Sequence, residues 1–278
     1  MQTNSPPQTQ FRLTRRGRAA LLAIGAVVAA TAVAVPLLIL EHERETRVSL
    51  VIPEGWRAGT IYRAIDKALR LPPGSTRKSL AKAHLDLPKA ARGNPEGYLF
   101  PATYPIHEKE TPESLLRYMV DTARKRFSRG NVTAGSQYNP MSAYQTVTMA
   151  SIVQSEAATT EDMGKVARVI VNRMRRGMPL QMDSTLNYAM DRFTLDTTMA
   201  DTRITSPYNT YRRTGLPPTP IGNPGADALH AVLNPTPGNW LYFVTVKPGD
   251  TRFTATYDEH LRNVQEFNRL RASASPRR

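Results

Sequence analysis

One carboxyl dominates the reactive inventory of this chain. The run Met149-Ala150-Ser151-Ile152-Val153-Gln154-Ser155-Glu156 reads as a helix. Met149, Ile152, Val153 and Glu156 follow the i, i+3, i+4, i+7 spacing of one helical face. That face is otherwise apolar, so the pattern aims a carboxyl at the protein interior, while Gln154 lies off it. A buried carboxylate is costly unless it is paired or protonated. Desolvation raises its pKa and can hold the proton at neutral pH, the state a general acid needs. The other reading is a structural ion pair with an arginine such as Arg173. Spacing alone leaves both open.

Other chemistries lack their residues. There is no Cys, so no disulfide holds the fold together. The histidines, at 42, 84, 107, 230 and 260, show no metal-ligand spacing such as H-E-x-x-H, so neither a metal nor another cofactor is expected. No G-x-S-x-G elbow or phosphate-binding loop occurs. Asp258-Glu259-His260 reads as the solvated start of a helix rather than a catalytic set. Carboxylates, hydroxyls and amides remain.

The elements that position them begin at a membrane. Residues 19–40 carry no charge and are long enough to span a bilayer as a helix. Arg12, Arg15, Arg16 and Arg18 precede this run, and Glu41, Glu43 and Glu45 follow it. The positive-inside rule then predicts a single-pass plasma-membrane protein with a cytoplasmic N-terminus and the rest extracytoplasmic. Ala32-Val33-Ala34 offers a signal-peptidase-like site, but the apolar run continues through Leu40, which favours an uncleaved anchor. The formal net charge is +14. With the four arginines of the tail set aside, 33 basic side chains still face 23 acidic ones. No nucleic-acid motif accompanies that excess, so nucleic acid is not expected as a partner. Outside the membrane it points to anionic wall polymers or headgroups. An exported, tethered enzyme with this inventory is expected to handle sugars.

The pattern predicts a tail over 1–18, the transmembrane helix over 19–40, a connector and small αβ unit over 41–87, a larger catalytic domain over 88–271 and a disordered tail over 272–278. Within the small unit, Val48 to Ile52 reads as a strand. Thr60 is the expected cap of a helix striped by Ile61, Ala64, Ile65, Ala68 and Leu69, and Ser75 starts another. Thr111-Pro112 opens a helix with Leu116, Met119, Val120, Ala123 and Phe127 on one face. Asn139-Pro140 is the expected start of the Glu156 helix. Thr159 to Asp162 forms a capping-box pattern before a helix striped by Met163, Val166, Ala167, Ile170 and Met174. Asn223-Pro224 caps a later helix. Trp240–Val246 and Thr251–Thr256 form a hairpin, and Thr256-Tyr257-Asp258-Glu259 caps the last helix.

Several blocks together resemble a known family. Ala150-Ser151-Ile152-Val153-Gln154-Ser155-Glu156-Ala157 is similar to the A-S-I-V-E-K-E-[AT] signature of the endolytic murein transglycosylases, the MltG (YceG-like) family. Glu96-Gly97-Tyr98-Leu99-Phe100-Pro101-Ala102-Thr103-Tyr104, Gly177-Met178-Pro179-Leu180-Gln181, Asp183-Ser184-Thr185, Ser206-Pro207-Tyr208-Asn209-Thr210-Tyr211, Gly215-Leu216-Pro217-Pro218-Thr219-Pro220-Ile221, Asn223-Pro224-Gly225 and Leu241-Tyr242-Phe243-Val244 match in order, over roughly residues 48–268. The resemblance implies an α+β fold: one N-terminal transmembrane helix, a small LysM-like αβ subdomain and a larger mixed α/β catalytic domain.

It also implies an activity. The family cleaves the β-1,4 bond between N-acetylmuramic acid and N-acetylglucosamine inside peptidoglycan glycan strands, leaving 1,6-anhydromuramoyl ends. Its essential glutamate falls on Glu156; the preceding signature Glu is Gln154 here, which cannot act as an acid. The family's Asp-Pro-Thr appears as Asp183-Ser184-Thr185. Gln181, Asp183, Thr185, Ser206, Tyr208, Asn209 and Tyr211 are the expected substrate-binding residues. Arg173 and Arg212 are candidates for the lactyl or stem-peptide carboxylates, and the loop from Ser206 to Pro224 for lining the groove. Peptidoglycan synthases are candidate partners. Two other readings stand beside this one: a lysozyme-type hydrolase in which Asp183 or Glu161 activates water, and an inactive glycan-binding scaffold.

Overall fold

The structure, a computed structural model, describes residues 48–130, 132, 141–194 and 197–274. The apolar run 19–40, the residues flanking it, Asn139-Pro140 and the last four residues lie outside that set. Among the described residues no helix is long and apolar enough to cross a membrane. Contacts divide the chain into Met1–Ser49 with Pro105–Glu108, and Leu50–Tyr104 with Lys109–Arg278. The first unit is described only at 48–49 and 105–108, the ends of two paired strands. The second holds everything discussed below.

In chain order the elements are β1 (Val48–Val51), α1 (Ala58–Ala68), α2 (Ser75–Ala83), β2 (Thr103–Ile106), α3 (Pro112–Arg129), α4 (Ala143–Glu156), α5 (Thr160–Arg175), α6 (Asp183–Ala189), α7 (Ala226–Leu233), β3 (Tyr242–Lys247), β4 (Asp250–Thr254) and α8 (Tyr257–Ala274). β1 pairs with β2, and β3 pairs antiparallel with β4 from Tyr242–Thr254 to Thr245–Thr251. The class is α+β, as expected.

The core is built round α4. Tyr144 and every residue from Thr146 to Val153 are buried, and α4 packs against α5, α6 and α7. The expected face of Met149, Ile152 and Val153 is buried, and so is the rest of the helix between Thr146 and Val153, its Thr146, Thr148 and Ser151 included. The helix starts later than Asn139-Pro140 suggested. Ser142 caps it by accepting from the Gln145 backbone N–H, while the Gln145 side chain accepts from the Ser142 N–H. The stripes expected on α3 and α5 do face the core, Met174 being only partly buried.

Two caps come from elsewhere than local sequence implied. α1 starts at Ala58, not after Thr60, because Glu96 accepts from the Ala58 N–H at 2.8 Å across 38 residues of chain. Asn223 does not cap α7. Its Nδ2 donates to the Trp56 carbonyl (2.8 Å) and to Glu96 Oε1 (3.1 Å), and its Oδ1 accepts from the Leu99 N–H (2.8 Å). Gly97 follows with φ +86°, and a Cβ there would stand 2.6 Å from Pro220 Cγ, so no larger residue fits. At the C-terminal end Arg252 of β4 binds Glu266 at 2.7 Å and fastens α8 to the hairpin. α8 runs through Ala274, past the expected start of a disordered tail at 272.

Glu96 is only 4 % exposed, and burial pushes its carboxyl up to about 7 against the pull of its hydrogen bonds from Ala58, Tyr188 and Asn223 and of the nearby Arg57. Between the ordinary carboxyl range and pH 7 the folded chain keeps a proton that the unfolded chain releases. This contribution to stability is therefore full at low pH and lost as pH rises through 7. Glu96→Gln keeps an acceptor for Ala58 and removes the titration. From pH 5 to pH 8 the urea-unfolding free energy of the wild type should fall relative to Glu96→Gln by on the order of 2–3 kcal/mol. Parallel pH curves would mean that Glu96 does not titrate in the folded state.

Candidate functional site

Glu156 is the last residue of α4. The next segment to reach it is α6, a short helix that no sequence pattern announced. Ser184, near its start, donates twice to one carboxyl oxygen, Glu156 Oε1: from its Oγ at 2.6 Å and from its backbone N–H at 3.2 Å. Among the described residues no ion pair engages Glu156. Burial pushes its carboxyl above the ordinary range, the two Ser184 bonds pull it back, and the charge of Asp183 adds to the rise. The residue keeps a partly accessible surface while protein atoms crowd its carboxyl. With Oε1 occupied as an acceptor, Oε2 is the oxygen left to carry a proton. The family's Asp-Pro-Thr offers neither donor here, because proline has no N–H and no hydroxyl.

The alternative role of Arg173, as the partner of Glu156, is excluded by its own bonds. Its guanidinium donates to the carbonyls of Leu241 (2.6 Å), Leu180 (2.7 Å) and Pro179 (3.2 Å) and to Gln181 Oε1 (3.1 Å), and lies 5.2 Å from the Tyr242 ring centre. It is a fastener for the segment before α6 and for the residue that precedes β3. Glu156, Arg173, Gln181, Asp183 and Tyr211 line a cavity of about 370 Å³, together with Tyr242, Phe243, Tyr257 and His260. Asp183 accepts a short hydrogen bond from the Tyr211 hydroxyl, and burial with that bond pushes the phenol pKa up. Gln181 holds φ +52°, unusual for a residue with a Cβ, with its N–H bonded to the Thr210 carbonyl at 2.9 Å. Strain at such a point accompanies functional sites often enough to be a pointer.

Of the expected substrate-binding residues, Gln181, Asp183 and Tyr211 reach this cavity and four do not. Thr185 is buried, its hydroxyl bonded to the Met182 carbonyl (2.7 Å) and to Thr210 (2.9 Å). Asn209 is buried and spends its amide on the carbonyls of Thr202 (2.9 Å) and Ile204 (2.8 Å). Ser206 Oγ accepts from the Tyr208 N–H at 3.2 Å, and the Tyr208 hydroxyl meets Thr219 at 2.9 Å. These four fold the loop from Ser206 to Pro224, which enters the cavity only through Tyr211. Arg212 is exposed and bonded to the Arg203 carbonyl. Glu161 sits on the surface against Lys165 at 2.7 Å, away from the cavity.

Sequence reasoning missed Ser184 as a donor, and Tyr242, Tyr257 and His260 as cavity walls. His260 is not a solvated residue at the start of α8. It stacks on Tyr242 with ring centres 5.2 Å apart, and burial together with Arg173 holds its pKa below the ordinary value. No local signal marked it; only the folding of α8 over the hairpin brings it here. Among the described residues no three potential metal-binding side chains gather.

The fold and site define an α+β protein whose central helix ends in an unpaired acidic group at a polar, aromatic-walled cavity. A sequence model of the YceG-like family matches residues 29–266, and the chain belongs to that family. The endolytic murein transglycosylase of Bacillus subtilis is 36% identical over 173 residues, which are 62% of this chain and 48% of that protein. That of Streptococcus pneumoniae serotype 2 is 39% identical over 182 residues, 63% of this chain and 33% of that protein. The chain thus spans about half the length of the first relative and a third of the second. The crystal structure of a YceG-like protein from Listeria monocytogenes superposes with a TM-score of 0.69 at 32% identity, over 77% of this chain and 75% of that one.

Ser184 should tune the acid. Ser184→Ala removes the hydroxyl donor, and Ser184→Pro also removes the N–H at a helix position where proline is tolerated. In a carbon-13 NMR titration of the Glu156 carboxyl, the midpoint should rise in Ser184→Ala and further in Ser184→Pro. A midpoint unmoved in both variants would mean that the contact does not govern the ionisation.

Proposed function

We propose that this chain is a membrane-anchored endolytic lytic transglycosylase of peptidoglycan, cutting the β-1,4 bond between N-acetylmuramic acid and N-acetylglucosamine within strands and leaving 1,6-anhydromuramoyl ends. The observation that carries the reading is the Glu156 carboxyl, its pKa raised by burial, without a cationic partner among the described residues and set beside a cavity. The relatives named endolytic murein transglycosylase support the substrate class.

One carboxyl suffices for this reaction. Protonated Glu156 gives its proton from Oε2 to the glycosidic oxygen as the bond to the muramoyl anomeric carbon breaks. The muramoyl 6-hydroxyl then attacks that carbon, and its proton passes to the Glu156 carboxylate, which restores the acid. No water is consumed, and attack within one sugar has a large effective molarity. The donors of Ser184 stabilise the carboxylate formed midway, which makes Glu156 a stronger acid than burial alone would allow. Tyr211 and Gln181 stand where sugar substituents would pass. No cofactor is required. In the hydrolytic alternative a second carboxylate activates water. Glu161 is remote, and Asp183, already accepting from Tyr211, is the remaining candidate.

Residues 19–40 would anchor the enzyme in the plasma membrane, with the catalytic part outside. There it would meet strands as they emerge and terminate their growth beside the synthases. The unit before residue 88, in the LysM-like reading, would contribute to holding the strand.

Glu156→Gln should abolish cleavage of purified glycan strands, with a fall of at least ~10³-fold for loss of the acid. Its unfolding midpoint should stay near that of the wild type. Mass spectrometry of wild-type products should find anhydromuramoyl ends. Reducing ends would instead support a hydrolase, and wild-type-like turnover by Glu156→Gln would reject the mechanism.

A further inference from the structure

The cavity beside Glu156 has a counterpart. A second one, of about 440 Å³, is lined by Trp56, Arg57, Ser155, Ser184, Arg192 and Phe193, among others. Ser155 precedes Glu156 and Ser184 is bonded to it, so the Glu156–Ser184 contact stands on the wall between the two spaces. A reaction within a strand needs a grip on both sides of the bond it breaks, and the first cavity supplies only one side.

The lining of the second has the character of a sugar site. Phe193 is 67 % exposed, yet its ring is held in place: the Arg57 guanidinium lies 4.3 Å from its centre and 5.2 Å from that of Tyr188. Arg57 is fixed in turn by donating to the Arg192 carbonyl at 2.8 Å. Arg57 Nη1 and Arg192 Nε are buried and make no hydrogen bond. Those two atoms have no exposed surface, so the groups that face the space are the polar side chains of Thr60, Gln154 and Asn187; beside a fixed aromatic face they suit a pyranose, which offers C–H groups on its ring face and hydroxyl or N-acetyl oxygens at its edge.

The charge balance argues against an anionic ligand. Arg57 faces Asp191 at 3.6 Å, Arg192 faces Asp201 at 3.0 Å, and Glu54 lines the same space. A polyanion or a stem-peptide carboxylate would find these cations already compensated, whereas an uncharged polyhydroxylated chain would not need them free.

We infer that this second cavity is the other half of the glycan groove, gripping an uncharged N-acetylglucosamine unit of the strand beyond the scissile bond, with Phe193 as the stacking platform and Trp56 as a second aromatic wall. The inference rests on the proposed activity for its logic, but it can be tested without turnover.

The test uses the Glu156→Gln chain with chitotetraose as the probe, followed by amide NMR and calorimetry. The tetrasaccharide should perturb the signals of Trp56, Arg57, Arg192 and Phe193 as well as those of Tyr211 and Tyr242. Phe193→Ala, a change at an exposed ring that leaves the core intact, should weaken binding about tenfold and erase the second set of shifts. In the Glu156-intact chain the same substitution should raise KM for long strands more than it lowers kcat. Shifts confined to the first cavity, no binding at all, or inorganic phosphate displacing the sugar from Phe193 would each overturn the inference. A chain that binds chitotetraose across both cavities but never cleaves strands would overturn the proposed activity and leave this site standing.

Discussion

An acidic side chain that has lost most of its water and gained no counter-charge is the constraint on which this site turns. Glu156 ends α4 with its carboxyl crowded by protein atoms, and among the described residues only Ser184 offers it hydrogen bonds. A full ion pair there would lock it as a carboxylate; no partner at all would drive its pKa too high for it to release a proton readily. Two donors on a single oxygen give an intermediate state and leave the other oxygen available. The same contact ties the end of α4 to the first turn of α6, so the state of the carboxyl and the local fold share one interaction.

Glu156 can be held this way because the helix carrying it is immobilised on every side. α4 is wrapped by α5, α6 and α7, and its Gln154 side chain accepts from the Gly225 N–H at 2.9 Å, tying it to the segment before α7. A second buried carboxyl, Glu96, works differently. It joins the start of α1, Tyr188 of α6 and Asn223 into one node, and so keeps the walls of the second cavity in place. One acidic group meets a single residue beside a cavity, the other ties three segments together; they differ in how many donors surround each.

Much was legible beforehand. The helix ending in Glu156, the stripes of α3 and α5, the Thr111-Pro112 start and the final hairpin followed from periodicity and capping chemistry, which are local. The site was legible in part. Glu156, Gln181, Asp183 and Tyr211 meet at one cavity, while Thr185 of α6 bonds to the loop at Thr210 and Ser206, Tyr208 and Asn209 bond within or beside that loop. Motif membership could not separate these groups, because a polar residue that braces a loop and one that touches substrate have the same type and spacing.

The chain's order of residues by itself singled out the carboxyl of Glu156, placed most of the helices and excluded thiol chemistry, since each depends on residue type and short-range spacing. Tertiary packing decided what surrounds that acid: Ser184 in place of a cation, Arg173 turned to carbonyls, His260 and Tyr242 brought in from the C-terminal hairpin and helix. Those neighbours lie 17 to 104 positions from Glu156 along the chain yet meet it or its cavity in space. Desolvation and hydrogen bonding act through space, so the state of a proton is set by a fold and not by a motif.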